Sequence, residues 1–383
     1  MRCKRCGNED ESYFYHGKAG TYCRKCIPFK RLMIEEEPAP IAYDIKGDGD
    51  YELGFELTRF QKEASRKCVE YLKEKNVLLE AVCGAGKSEI MVEAMASYLK
   101  EGKKVCLAIA RVEVVKELAI RYQRIFHKLK VVSVYGGHSA VISGDLIICT
   151  IHQLYRYYQS FDLLVIDEVD AFPLKDNLTL MNIAISSARG RIIFSTATVS
   201  PFILSVLKKG DYGHVKLLVR PSLVPMVLPK VYYLPWLILL MRLIVIMKKT
   251  KRQMIIFTER KMTAKVLYHL CKNFFSCTYV YSDLPERNEN INDFRKGKYQ
   301  FIFSTAVLER GITIKGVEVA LLIRYKSFDQ GSIVQMVGRV GRDVEDLGGE
   351  AYILATCYHQ DIKKAIDYLK EANRELEMSL LRS

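Results

Sequence analysis

One stretch, residues 76–91, NVLLEAVCGAGKSEIM, restricts the options of this chain more than any other. An apolar run, Asn76 to Val82, has the pattern of a central parallel strand. It enters a turn whose Gly84 and Gly86 let the backbone approach phosphate oxygens, and Lys87-Ser88 then opens a helix. Backbone N–H groups, the positive end of that helix and the Lys87 ammonium all suit β- and γ-phosphates, while Ser88 offers a hydroxyl to Mg²⁺. The form is A-x-x-G-x-G-K-S, with Ala81 where the commoner pattern has glycine. The expectation is an ATP site at the end of a parallel strand.

Around that site the chain predicts an α/β protein. KKVCLAIA, GDLIICT, FDLLVIDE and GRIIFSTAT each look like a buried strand alternating with helical stretches, so residues 57–229 read as one parallel α/β lobe. The helix before the P-loop shows Ala64, Cys68, Tyr71 and Leu72 at helical spacing. FDLLVIDE ends in Asp167-Glu168-Val169-Asp170, where a strand gives way to a loop. Hydrolysis of a γ-phosphate needs a metal clamp beside a positioned base, roles suited to Asp167 and Glu168. Ser195, Thr196 and their neighbours in Ser195-Thr196-Ala197-Thr198 supply hydroxyls that would sense the nucleotide state and hydrogen-bond Asp170.

A second α/β block, residues 230–383, repeats the alternation with RQMIIFTE, TYVYS, YQFIFST, VEVALLI and EAYIL, and it has no P-loop. It carries Ser304-Thr305-Ala306-Val307-Leu308-Glu309-Arg310-Gly311 after one strand, and Gln335-Met-Val-Gly338-Arg339-Val-Gly341-Arg342. On a helix, Arg339 and Arg342 would share a face and present two guanidinium forks to a γ-phosphate.

The N-terminus differs from both blocks. Cys3-x-x-Cys6 and Cys23-x-x-Cys26, sixteen residues apart, have the spacing of a four-thiolate Zn²⁺ site, with a redox role as the competing reading. The segment between is too short to build its own core, so residues 1–34 read as a small zinc ribbon stabilised by the metal. His16 is surplus to a shell that four cysteines fill. The other seven cysteines fall in apolar segments as ordinary core thiols. Glu35-Glu-Glu-Pro-Ala-Pro40 and Asp48-Gly49-Asp50 mark residues 35–56 as a linker.

Charge points to the partner class. Fifty-eight Lys and Arg against 44 Asp and Glu give a net charge of +14, which favours a polyanion such as nucleic acid or anionic lipid. Met-Arg-Cys-Lys-Arg-Cys leads into no apolar signal core. The apolar stretch 234–247 is short and holds Pro235 and Arg242, so it reads as a buried helix rather than a membrane span.

Taken together, Gln61, AVCGAGKS, ARVEVVKEL, CTIHQL, DEVD, STAT, IIFTER, STAVLERGIT and QMVGRVGR stand in the order and spacing of superfamily 2 helicase motors with two tandem RecA-like lobes. With the four-cysteine ribbon and Asp167-Glu-Val-Asp-Ala-Phe-Pro173, the chain resembles the ComFA family of late-competence DNA-uptake ATPases. The resemblance implies nucleotide contacts at Gln61, Gly84, Ala85, Gly86, Lys87, Ser88, Asp167 and Gly311, with Ser88 and Asp167 on Mg²⁺. It implies catalysis by Lys87, Asp167, Glu168, Gln335, Arg339 and Arg342, and coupling through Asp170, Ser195 and Thr196. Nucleic-acid contacts would come from Arg111, Gly136, Gly137, Thr150, Gln153, Thr258 and Thr305. It further implies single-stranded DNA, a phosphoribosyltransferase-like competence partner, the uptake channel and the strand-receiving proteins as partners, with self-association allowed. The expected place is the cytoplasm, peripheral to the inner face of the membrane. A primosomal-type DNA helicase, a DEAD-type RNA helicase and a zinc-dependent scaffold with an idle motor are the rivals.

Overall fold

The structure is a computed structural model that describes residues 1–383 except 19, 37, 208–209, 310–313, 315, 326–327, 342–347 and 382–383. It divides into two compact units, Met1–Ala81 with Gly86–Leu217, and Val82–Ala85 with Leu218–Ser383. Gly311 and Arg342 lie outside the described residues.

The first unit begins with a hairpin, β1 (Phe14–Gly17) against β2 (Gly20–Cys23), paired Phe14↔Cys23 and Tyr15↔Tyr22. The period of two turns Phe14 and Cys23 inward and leaves Tyr15 43% exposed. Residues 38–58 form neither helix nor strand, yet they are tied down. The Ile41 N–H donates to Ser160 Oγ at 3.1 Å, the Lys46 N–H to Asp145 Oδ1 at 2.8 Å, and Lys104 Nζ to the Ile41 carbonyl at 2.9 Å.

The lobe proper runs α1 (Arg59–Leu72), β3 (Asn76–Ala81), α2 (Lys87–Ile90), α3 (Val92–Lys100), β4 (Val105–Ile109), α4 (Val112–Ile125), β5 (Val131–Val134) and β6 (Leu146–Thr150). It continues through a 3₁₀ turn (Ile151–Arg156) to β7 (Phe161–Ile166), α5 (Leu178–Ser186), β8 (Ala188–Thr196), α6 (Pro201–Leu207) and β9 (Tyr212–Leu217). Thr58 and Gln61 start α1 with a reciprocal capping box. The parallel sheet has the order β5-β6-β4-β7-β8-β3-β9. Its inner strands β4 and β6 are buried at every position, as expected when helices cover both faces.

The second unit repeats the plan: β10 (Lys230–Tyr233), α7 (Trp236–Lys249), β11 (Met254–Thr258), α8 (Lys261–Cys271), β12 (Cys277–Val280) and α9 (Arg287–Arg295). Then follow β13 (Phe301–Ser304), β14 (Glu318–Ile323), α10 (Gln330–Val337), β15 (Ala351–Ala355) and α11 (Gln360–Leu381). The parallel order is β10-β15-β14-β11-β13-β12. Helix α7 resolves the apolar stretch: Leu239, Leu243, Ile246 and Met247 pack in the lobe core, while Leu237, Ile238, Met241, Ile244 and Val245 are exposed. Among the described residues no helix is long and apolar enough to cross a membrane.

Candidate nucleotide site, metal cluster and strand-end loops

In the first sheet β7, β8 and β3 are neighbours and parallel, so the loops that follow them leave from one edge. Open α/β sheets place ligand chemistry there. The loop after β3 holds Gly84 at φ 83° and Gly86 at φ 79°, left-handed conformations that favour glycine. A Cβ on Gly86 would lie 2.4 Å from Gln61 Nε2, so the missing side chain also admits the Gln61 amide. Gln61 is 3% exposed, and its Oε1 accepts from the Thr58 N–H at 3.0 Å. Its capping role and its place beside the phosphate loop therefore coincide. Lys87 and Ser88 open α2, and the Tyr122 hydroxyl fixes the Ser88 carbonyl at 2.7 Å. Buried Glu89 pairs with Arg121 on the same helix opening.

After β7, the Asp167 carboxylate accepts from Ser195 Oγ at 2.8 Å and from the Glu168 N–H at 3.0 Å. Glu168 itself sits at φ 56°, a left-handed conformation uncommon outside glycine and typical of strained functional turns. The hydrogen bond from the Ser195–Thr198 tetrapeptide to Asp170 is made by Thr198 Oγ1, at 3.2 Å. Ser195 Oγ instead holds Asp167, and Thr196 Oγ1 donates to the Thr198 carbonyl at 2.7 Å. A carboxylate at Asp167 and a hydroxyl at Ser88 form a hard oxygen donor set, as Mg²⁺ requires.

In the second unit the structure corrects one expectation. Helix α10 ends at Val337, and Gly338–Gly341 are turns with Gly341 at φ 63°, so Arg339 lies beyond the helix, while Arg342 falls outside the described residues. Past Val337 the chain tightens into successive turns, Arg339 N–H to the Met336 carbonyl and Val340 N–H to the Val337 carbonyl, before Gly341 takes left-handed backbone. Arg339 is 3% exposed, as is Gln335, and Gln335 Nε2 has no hydrogen-bond partner among the described residues. A buried donor of that kind is costly unless a ligand or water meets it. Sequence reasoning missed Arg220, an isolated arginine in a proline-containing connector. Its buried guanidinium donates to the carbonyls of Gly338 at 3.0 Å, Val340 at 3.3 Å and Gly341 at 3.0 Å, and so holds the Arg339 turn.

The nucleic-acid candidates also gather at strand ends. Arg111 follows β4, Gly136 and Gly137 follow β5, and Thr150 and Gln153 follow β6, three neighbouring strands. Gly136 and Gly137 are exposed and Arg111 is half-buried, whereas Thr150 is buried and Gln153 Oε1 accepts from Arg156 Nε at 2.6 Å. Thr305 caps a 3₁₀ turn after β13 and is half-buried. Thr258 is 0% exposed, and its hydroxyl faces the Arg260 and Ser304 carbonyls at 3.3 and 3.4 Å.

At the N-terminus the four thiols of Cys3, Cys6, Cys23 and Cys26 are buried with all sulfurs within 4.8 Å of one another. The Cys3–Cys26 and Cys6–Cys23 separations are both 3.7 Å. Tetrahedral Zn–S bonds of about 2.3 Å put sulfurs about 3.8 Å apart, so the cluster fits zinc. Hydrogen bonds from Cys26 and Cys6 pull the Cys3 thiol far below its ordinary value, while its bonds to Cys3 and Cys6, together with burial, push Cys26 up. Four thiolates packed this way need a cation to ionise together. His16 stays outside, its Nδ1 2.9 Å from Thr21 Oγ1. The ribbon docks on the first lobe: Ile183 joins its core, Asn182 Nδ2 donates to the Cys6 carbonyl at 2.9 Å, and Phe29 stacks on His152.

Residues 54–200 match the family described as "Type III restriction enzyme, res subunit", and residues 237–344 match "Helicase conserved C-terminal domain". The chain is 30% identical over 97% of its length to competence protein ComFA of Streptococcus pneumoniae, covering 90% of that protein. It is 29% identical over 97% of its length to competence protein ComFA of Bacillus subtilis, covering 85% of it. Among solved structures, S. cerevisiae Dbp5 bound to RNA and ADP BeF3 superposes with TM-score 0.62 at 20% identity, over 82% of this chain and 87% of that one. RecG bound to a three-way DNA junction gives TM-score 0.60 at 18% identity, over 86% and 47%. The fold is thus two RecA-like lobes, and the chain is a helicase-type ATPase that uses ATP and Mg²⁺ and binds nucleic acid. With that identity spanning nearly its whole length, the chain belongs to the ComFA family of competence proteins, built on a superfamily 2 helicase motor.

Proposed function

We propose that the chain is a single-stranded-DNA-stimulated ATPase that pulls transforming DNA inward during competence. The observation that carries this reading is the arrival of Lys87-Ser88, Asp167-Glu168 and Ser195-Thr198 at adjoining strand ends in a chain whose relatives are competence proteins. In this reading the Lys87 ammonium and the backbone of Gly84, Ala85 and Gly86 hold the β- and γ-phosphates, and Gln61 meets the adenine side of the site. Glu168 takes the proton of the attacking water as the bond from the γ-phosphorus to its bridging oxygen breaks and ADP leaves. Ser88 and Asp167 would hold Mg²⁺, which would supply positive charge beside the phosphate oxygens. Gln335 positions the water, and Arg339 and Arg342 neutralise the transferring group. Ser195 ties Asp167 to β8, which gives a route from γ-phosphate to the strand-end loops, with Asp170, Thr196 and Gly311 on the same relay.

Arg111, Gly136, Gly137, Thr150, Gln153 and Thr305 then grip the backbone of the strand, a sequence-tolerant contact that weakens with salt. Thr258 belongs to the same grip. The four cysteines hold Zn²⁺. A cytoplasmic position beside the membrane channel, a phosphoribosyltransferase-like partner and proteins that receive the strand complete the reading.

The test is ATP hydrolysis by the purified protein alone, with single-stranded DNA, and with RNA of the same sequence. Lys87→Ala is the blank. Stimulation by DNA alone, with the variant at least about a hundredfold down, is expected. Equal stimulation by RNA would favour the DEAD-type RNA helicase reading, and hydrolysis absent under every condition would leave the scaffold.

A further inference from the structure

The zinc ribbon has an outer face that neither the motor nor the metal uses. Phe14 and Cys23 point into the thiol core, so their neighbours Tyr15 and Tyr22, directly paired across the hairpin, lie on the opposite side with ring centroids 5.1 Å apart. Tyr13, just before β1, is 42% exposed and Tyr15 43%. Each of the three rings has its own cation: Lys25 Nζ lies 4.0 Å from the Tyr13 centroid, the Arg24 guanidinium 5.5 Å from Tyr15 and the Arg31 guanidinium 4.6 Å from Tyr22. Arg31 is brought there because the chain after the ribbon returns beside β2, the Ile34 N–H donating to the Thr21 carbonyl at 2.8 Å.

The charge on this part of the chain is one-sided. The first 31 residues hold eight Lys and Arg against three acids. Two of those acids have work nearby: Glu9 pairs with Arg2 at 3.5 Å, and Asp10 caps the Ser12 N–H at 3.0 Å. Three aromatic rings beside three cations, on the hairpin and the segments that flank it, meet the two chemical demands of a nucleic-acid single strand: planes for bases to stack on and cations for phosphates between them. A duplex hides its base faces and would use only the charges. An acidic protein surface would likewise use the charges and not the exposed rings.

We propose that the outer face of the zinc ribbon, Tyr13, Tyr15 and Tyr22 with Arg24, Lys25 and Arg31, is a second binding site for single-stranded nucleic acid, separate from the strand-end loops of the lobes. The site rests on the motor reading only for the choice of DNA as the strand. It lets the chain hold a strand at the ribbon while the lobes change their grip.

The experiment is equilibrium binding of a fluorescein-labelled single-stranded oligonucleotide, in DNA and RNA forms, and of the corresponding duplex, to the full chain at several salt concentrations. Two variants are compared with the wild type, Tyr15→Ala/Tyr22→Ala and Arg24→Gln/Lys25→Gln/Arg31→Gln. Zinc content and thermal unfolding report whether the ribbon still folds. The tyrosine variant is expected to bind the single strand about tenfold more weakly, with duplex binding unchanged, the loss of one base stacked on the paired rings. The charge variant, which alters no core atom and stands in if the tyrosine variant loses zinc, should lower the log–log salt slope by about 2. Wild-type affinity and slope in the charge variant overturn the second site and assign this face to a protein partner. Equal losses for duplex and single strand also overturn it, as bare electrostatics. Binding of RNA but not DNA by the wild type, with the variants still weakened, would instead sink the DNA reading and leave the ribbon site standing.

Discussion

The two lobes build the same kind of parallel sheet from the same alternation of elements, but they hold their functional groups by opposite means. In the first lobe local backbone sets the geometry: Gly86, where the phosphate loop meets its helix, takes a left-handed conformation, and Glu168 does so right beside Asp167. In the second lobe the corresponding residues are buried and depend on a distant side chain. Gln335 and Arg339 are each 3% exposed, and the turn that carries Arg339 is fixed by Arg220, more than a hundred residues earlier. Geometry written into neighbouring residues tolerates change elsewhere; geometry supplied by one remote guanidinium fails with it.

The sharpest test of that contrast is Glu168→Gln in the first lobe. Hydrolysis is expected to fall about a hundredfold or more while ATP binding, followed by a fluorescent nucleotide, persists. Retained hydrolysis would remove Glu168 as the base. A smaller effect, about tenfold on kcat, is expected for Arg220→Ala, because Arg339 remains but its turn loses three hydrogen bonds and the Cys83 carbonyl of the phosphate loop loses one. Arg220→Lys should not restore the rate, since a single ammonium cannot span three carbonyls. If Arg220→Ala hydrolyses ATP normally, the turn is held by its glycines alone and the contrast between lobes collapses. The smallest effect belongs to α7: Ile238→Ser/Ile244→Ser, 43% and 39% exposed, should change stability by no more than about 0.5 kcal/mol per site in a urea titration. Leu243→Ser, 2% exposed, should cost several times that.

The same contrast explains what could be read from the amino-acid sequence. The phosphate loop, Asp167-Glu168 and the cysteine pairs were legible because chemistry and backbone need coincide within a few residues. The central strands were legible because burial on both faces makes them continuous apolar runs. Strands β5, β9 and β10 were not, and all three lie at sheet edges, where one face is half-open and the apolar signal thins to patterns such as VVSV. The helical placement of Arg339 failed because three-residue spacing says nothing about where the helix ends. The inward turn of the Thr258 hydroxyl was not legible, because a hydroxyl at a strand end can turn to carbonyls as easily as outward. Arg220 left no local signal, as its partners are distant in sequence.

The ribbon's core is completed by Ile183 of α5 and its knuckle by the Asn182 amide on Cys6. Its cysteine spacing is therefore not a portable part. A chimera that moves residues 1–34 onto another motor would bring the four sulfurs but leave one wall of their pocket behind. Recombination among such proteins should therefore exchange the ribbon together with the helix that seats it, or not at all.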